Sequence, residues 1–248
     1  LGGRLLLPPL DLGDVAQAHP GLGGDLAQRH AALHPPITED VAEKPTNYAE
    51  ALHWYHEYLS SFPKDVDTPP INYQLADLML ENKDYGQAAV EYERTAYDYP
   101  VHDKSAAAGY AAIYAHREDL KVAAADAQPR IRSATVASSL KFADKFPTHP
   151  QAATVLGAAA DDLYGMNDFA PAIAAAQKLI EHYPAADMPI RRSAWAVVAH
   201  SSFELADYPT AEQAYGQVLS MTAADDKSRQ ALVDNLAASI YKQGEQAN

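Results

Sequence analysis

The sequence contains no cysteine. Disulfides, thiolate zinc sites, iron–sulfur clusters and a cysteine nucleophile are thereby excluded. Basic residues are few, 19 Lys and Arg against 33 Asp and Glu, for a net charge of −14. Neutralising phosphates takes Lys and Arg, so neither nucleic acid nor an anionic membrane surface is an expected partner. No apolar run approaches the roughly 20 residues that cross a bilayer, so no membrane-spanning segment is expected. Phenylalanine is scarce, 5 residues against 15 tyrosines. The chain opens "LGGRLLLPPL", without Met and without a basic region leading into a long apolar core. It therefore does not read as a signal peptide but as a mature or trimmed piece, with any targeting segment out of view.

Catalytic motifs are missing as well. There is no nucleophile elbow, phosphate loop or dinucleotide fingerprint. "GLGG" at Gly21 to Gly24 has no strand before it and reads as loop. The acidic pairs Asp161–Asp162 and Asp225–Asp226 are adjacent, so they diverge on a helix and make no acid/base couple. The expectation is a chain that is not an enzyme, with no catalytic residue, no cofactor and no metal.

What is present is helix. Hydrophobic residues make up 48%, with alanine plentiful. Alanine is the best helix former and lets helices approach closely. A chain of 248 residues suits one large domain, two small ones or an elongated repeat.

A repeat is visible. From Tyr48, Ala51 follows three residues on, Tyr55 seven on and Pro63 fifteen on. From Tyr85 the same offsets give Ala88, Tyr92 and Pro100; from Phe169, Ala172, Ala176 and Pro184; from Tyr208, Ala211, Tyr215 and Ala223. Upstream, Leu75 and Ala76, Ala159 and Ala160, and Val198 and Ala199 stand ten and nine residues before the aromatic. Thirteen before stand Asn72, Leu156 and Trp195. Each copy reads as helix, short turn ("ENKDY", "GMNDF", "ELADY"), helix, proline. The Asp before the aromatic is a candidate N-cap, and the proline stops the second helix. The copy ending at Pro147 is irregular, with about ten extra residues around "LKVAAADAQPRIR" and with Arg132, Thr135 and Ser139 in the aromatic, Ala and aromatic places. A longer loop or an extended helix is expected there. "SRQALVDNLAASIYKQGEQAN" reads as the first helix of a further copy, with an exposed apolar surface and a capacity for self-association.

These residues resemble the tetratricopeptide repeat, in Trp195, Ala199, Ala211 and Tyr215 and in Leu75, Ala76, Ala88, Tyr92 and Pro100. The prolines 63, 100, 147 and 184 lie further apart than the family's repeat of about 34 residues. Longer copies ending in "FP" or "YP" are similar to the envelope branch of the family, such as the outer-membrane assembly lipoprotein and the Tol-system coordinator. The resemblance implies an all-α fold, a right-handed superhelix of antiparallel helix pairs. Residues 44–248 would form about five pairs, the last truncated, after an irregular arm or cap over 1–43 with one or two short helices. It also implies a concave groove lined by first helices. Offset from the small residue makes Tyr73, Asp77, Asp161, Tyr164, Ser193, His200 and Phe203 the groove candidates. That acidic and aromatic mix suits a peptide carrying Lys or Arg.

Two histidine pairs remain. His53 and His56 in "HWYHE" lie about 60° apart on a helix and do not match the zinc-protease spacing. His30 and His34 have i, i+4 spacing. All four read as solvated or capping histidines. The leading expectation is a non-catalytic scaffold of a bacterial cell envelope, periplasmic or outer-membrane associated, that binds a protein or peptide. The alternative is a glycan-binding or polysaccharide-export module of the outer membrane. A third reading is an enzyme whose active site lies in the irregular N-terminal 40 residues or in a domain outside this sequence.

Overall fold

The computed structural model describes residues 45–247, and among these every regular element is a helix. In order they are α1 (Pro45–Ser61), α2 (Thr68–Glu81), α3 (Tyr85–Tyr97), α4 (Ser105–Val122), α5 (Gln128–Lys145), α6 (Ala152–Gly165), α7 (Phe169–His182), α8 (Met188–Glu204), α9 (Tyr208–Ser220) and α10 (Arg229–Gln246). The all-α expectation therefore holds. No described helix is long and apolar enough to cross a membrane. Residues 1–43, with His30, His34 and "GLGG", lie outside the described residues.

Three turns are built alike. Lys83, Asn167 and Ala206 adopt left-handed φ values of 64°, 60° and 59°. At each, the next amide reaches back five residues, Asp84 to Met79 (2.8 Å), Asp168 to Leu163 (2.9 Å) and Asp207 to Ser202 (2.8 Å). This is a Schellman stop, which satisfies the last carbonyls of one helix and reverses the chain within three residues. Asp84, Asp168 and Asp207 then cap the following helix. The side-chain cap expected at all three forms only at Asp207, which accepts from the Thr210 amide. At Asp84 and Asp168 the backbone turn alone makes the reversal. Prolines 63, 100, 147 and 184 lie just past the ends of α1, α3, α5 and α7, where their missing N–H costs nothing.

The small residues do the packing. Ala76, Ala88, Ala160, Ala172, Ala199 and Ala211 are all fully buried. Their side chains are single methyl groups, so helices that pack through them can approach closely. In the irregular copy the extra residues lengthen helices rather than a loop. α4 and α5 run 18 residues each, joined by 123–127. Thr135 and Ser139, in the places of Ala and an aromatic, are buried, and Thr135 turns its hydroxyl onto the Ile131 carbonyl.

The described residues divide into two compact units, 45–138 and 139–247. In the first, α1 packs on α2, α2 on α3 and α3 on α4. Its core centres on Leu75, Ala76, Ala88, Tyr92, Ala111 and Ala115. In the second, α6 packs on α7, α8 on both of them and on α9, and α9 on α10. Leu156, Leu179, Val155, Val198 and Val218 are its largest fully buried aliphatics. Each short-linked pair is antiparallel, as a three-residue reversal requires. On α10, Leu232 and Ser239 are buried while Val233, Ile240 and Tyr241 stay exposed, as the sequence leads one to expect.

Candidate functional site

Six of the seven candidates fall into two groups, one per unit. In the first unit, Tyr73 is a core residue, 5% exposed, with its ring edge-on to Tyr92 at 5.4 Å. Asp77, one turn further along α2, accepts a 2.5 Å hydrogen bond from the Tyr92 hydroxyl. Burial pushes the Asp77 carboxyl up to about 6, against the pull of that bond. Burial and the Asp77 charge push the Tyr92 hydroxyl far above its ordinary range, so it stays a donor.

The second unit gathers four candidates along the seam between α6 and α8. The Ser193 hydroxyl donates to Asp161 Oδ1 at 3.3 Å. Tyr164, three residues along α6, lies 5.9 Å by ring centre from His200 of α8. His200 Nδ1 is 2.8 Å from the Tyr215 hydroxyl of α9. Burial lowers the His200 pKa, so the imidazole is neutral near pH 7. Burial pushes the Asp161 carboxyl up to about 7, and Asp162 beside it adds to the rise. Phe203 sits apart, edge-on to Tyr208 at 5.3 Å.

The two clusters share one register. Tyr92 follows Asp77 by 15 residues, and Tyr215 follows His200 by 15. A tyrosine of the second helix thus turns its hydroxyl onto the polar residue of the first. Asp161 occupies the matching place on α6, but Ala176 stands where the tyrosine would be. Asp161 Oδ2 is buried and has no hydrogen-bond partner.

Ser193, Asp161 and His200 do not form a nucleophile relay. In such a relay the imidazole bridges hydroxyl and carboxylate. Here the hydroxyl meets the carboxylate directly, and His200 lies two helical turns from Ser193, about 10 Å along the axis. Among the described residues, no group of three or more His, Asp or Glu is placed to hold a metal ion. His53 and His56 are exposed and line an open depression of about 430 Å³ with Glu57, Ser60, Arg94 and Tyr99.

Sequence reasoning missed three features. The hydroxyl partners Tyr92 and Tyr215 were visible only as repeat positions. Asn72, in the place held elsewhere by Leu156 or Trp195, is fully buried and donates to the Glu91 carbonyl (2.8 Å) and the Thr95 hydroxyl (2.9 Å). A cleft of about 280 Å³ also opens beside Trp195, walled by Ile180 and Val198 and rimmed by Gln177, Glu181 and Gln213.

No protein-family model and no curated protein matches the chain. Among solved structures it is similar to the crystal structure of BtubC (BKLC) from P. vanneervenii. The two share 13% identity over 84% of this chain and 85% of that one, with a TM-score of 0.44. A likeness at that level supports nothing about function.

Proposed function

We propose that the chain is a non-catalytic binding scaffold that takes a protein or peptide along the α6–α8 seam of the second unit, with α2 of the first unit carrying a separate candidate position at the same register. One observation carries the reading. Half-buried polar side chains recur at one register position, Asp77, Asp161 and His200, with Tyr92 beside Asp77, Tyr164 and Tyr215 beside His200, and none in a catalytic relay. Such positions offer directional hydrogen bonds inside an apolar frame, which suits recognition of an extended segment. The resemblance to tetratricopeptide repeats supports the same reading, and the resemblance of its longer copies to envelope members supports a periplasmic or outer-membrane setting.

The test is a random peptide library displayed against the intact chain. Saturable binders are expected, weakened about tenfold by Asp77→Asn or His200→Gln. No binders, or binders indifferent to both substitutions, would overturn the reading. The second reading, a glycan-handling module, draws on the half-buried ring pairs Tyr164–Phe169 and Phe203–Tyr208. Glycan-array signal that is lost in Phe203→Ala supports it, and a silent array removes it.

A further inference from the structure

We propose that α10 is the docking face for a second copy of this chain, through an antiparallel pair of α10 helices about a two-fold axis near Ala237. The inference is independent of the peptide-binding reading above.

The three short-linked helix pairs show what covers such a face. Leu236 and Ala237 stand as far into α10 as Leu75 and Ala76 into α2 and Ala159 and Ala160 into α6. Val233 and Ile240, four residues before Ala237 and three after it, therefore hold the places of Asn72 and Met79 in α2 and of Leu156 and Leu163 in α6. Around Ala199 of α8 the same offsets give Trp195 and Ser202. In each pair the second helix, α3, α7 or α9, packs alongside the first. Asn72 bonds directly into α3, and Trp195 shares a cleft with Gln213 and Ala214 of α9. Eight of these nine residues are buried and Trp195 is half-buried.

On α10 the same places are open. Val233 is 41% exposed, Ile240 50% and Tyr241 beside it 65%, and Ala237 is exposed as well. The orientation of this stripe is fixed. Arg229 donates to the Leu219 and Thr222 carbonyls at the start of α10, and Gln243 donates to the Tyr208 carbonyl and to Glu212 near its end. These bonds seat α10 on α9, with Leu232 and Ser239 buried. At 100° per residue the open stripe lies roughly 130° around the helix from Leu232 and Ser239.

The spacing of the stripe points to its occupant. The second helices carry Tyr85, Ala88 and Tyr92, then Phe169, Ala172 and Ala176, then Tyr208, Ala211 and Tyr215, each set spaced three and four residues apart. α10 has the same spacing in Val233, Leu236 and Ile240, with Ala237 next to Leu236. It therefore offers a second copy the pattern that α3, α7 and α9 offer to α2, α6 and α8. Since those pairs are antiparallel, two α10 helices can each serve as the other's second helix. Such a contact is isologous and closes as a dimer. Charge permits it. α10 carries Arg229 and Lys242 against Asp234 and Glu245, so it is neutral in a chain of net charge −14. The repulsion between two acidic copies is not concentrated where they meet. One helix face from each copy makes a small interface, so the dimer is weak, with a Kd of about 10–100 μM.

The experiment is sedimentation velocity on the intact chain from about 5 to about 500 μM, a range that brackets that Kd. The average mass is expected to rise from one chain towards two. Ile240→Asp and Tyr241→Asp each change an exposed side chain, and each is expected to weaken association about tenfold or more. Circular dichroism checks that both variants keep their helix. The sequence has no cysteine, so a single introduced one reports the geometry without background. Ala237→Cys is expected to give a disulfide-linked dimer under mild oxidation, and Ala185→Cys, exposed between α7 and α8, is not. Val233→Cys mixed with Tyr241→Cys is expected to link to it in preference to itself, because antiparallel helices set 233 of one copy against 241 of the other. A chain that stays monomeric over the whole range overturns the inference. So does a dimer indifferent to both Asp variants, which meets through another face, or one in which Val233→Cys links best to itself, which is parallel. None of these results bears on the peptide-binding reading.

Discussion

At the scale of single residues, Asp161 is also a stability liability at neutral pH. Burial raises its folded pKa from 3.8 to about 7. The unfolded chain loses this proton first, so between about pH 4 and pH 7 the unfolded state is progressively favoured, and the cost levels off above pH 7. The ceiling is about 4 kcal/mol, three pKa units at 1.36 kcal/mol each. Asp161→Asn keeps the size and removes the charge. It should stabilise the chain by roughly 1–3 kcal/mol at pH 8 and have little effect at pH 4, in urea titrations at the two pH values. A stabilisation equal at both would show that Asp161 is not held neutral by the fold. His200 works in the opposite sense. Its lowered folded pKa gives stability that is present above the imidazole's ordinary 6.5 and lost as pH falls. Asn72 shows why the side-chain partners at this scale were not legible. A repeat pattern gives the place of a residue on its helix, but the bonds of Asn72 cross to α3, 19 and 23 residues on, and depend on how two helices meet.

At the scale of elements, the turns were legible and their geometry was not. "ENKDY", "GMNDF" and "ELADY" announce a reversal, but nothing in the letters says that Lys83, Asn167 and Ala206 take a left-handed backbone. Glycine is the usual occupant of that position, asparagine tolerates it, and other side chains clash there at a cost of roughly 1–2 kcal/mol. Ala206→Gly and Lys83→Gly should therefore each raise stability by about 1 kcal/mol, and Asn167→Gly by less. Chemical denaturation of the three variants checks the order. A loss of stability in Ala206→Gly would mean that the turn is not strained. Helix length in the irregular copy was open in the sequence for a related reason. "LKVAAADAQPRIR" has alanines that favour helix and a proline that a helix accepts in its first turn, so loop and helix compete until packing decides.

At the scale of the whole chain, composition decides more than any contact. The net charge of −14 sets up self-repulsion in the folded state. The ion pairs that offset it, Lys178–Asp144, Lys121–Glu118 and Lys242–Glu245, are exposed or partly so. Each is worth about 0–1 kcal/mol and is weakened by salt. Repulsion summed over the excess acids outweighs them, so raising NaCl from about 20 to about 300 mM should increase the thermal midpoint. A lower midpoint in salt would show that the ion pairs dominate. The all-α class was legible because alanine content and a recurring period of aromatic, alanine and proline agree on it. The division into two compact units was not, because the same helix pattern runs on either side of residue 138.

The alanines buried between paired helices have one more consequence, for mutational tolerance. Ala76, Ala88, Ala160, Ala172, Ala199 and Ala211 have no accessible surface. In most cores the sensitive sites are large side chains whose loss leaves a hole. Here the sensitive sites have nothing to lose, and harm comes from addition, since an extra methylene forced into a filled seam costs about 1–3 kcal/mol. A saturation scan would therefore show intolerance at these smallest letters of the sequence beside that at Leu75, Tyr92 and Tyr215, with glycine and serine as the exchanges the alanines permit. At these six positions sequence drift is limited by how closely two backbones lie.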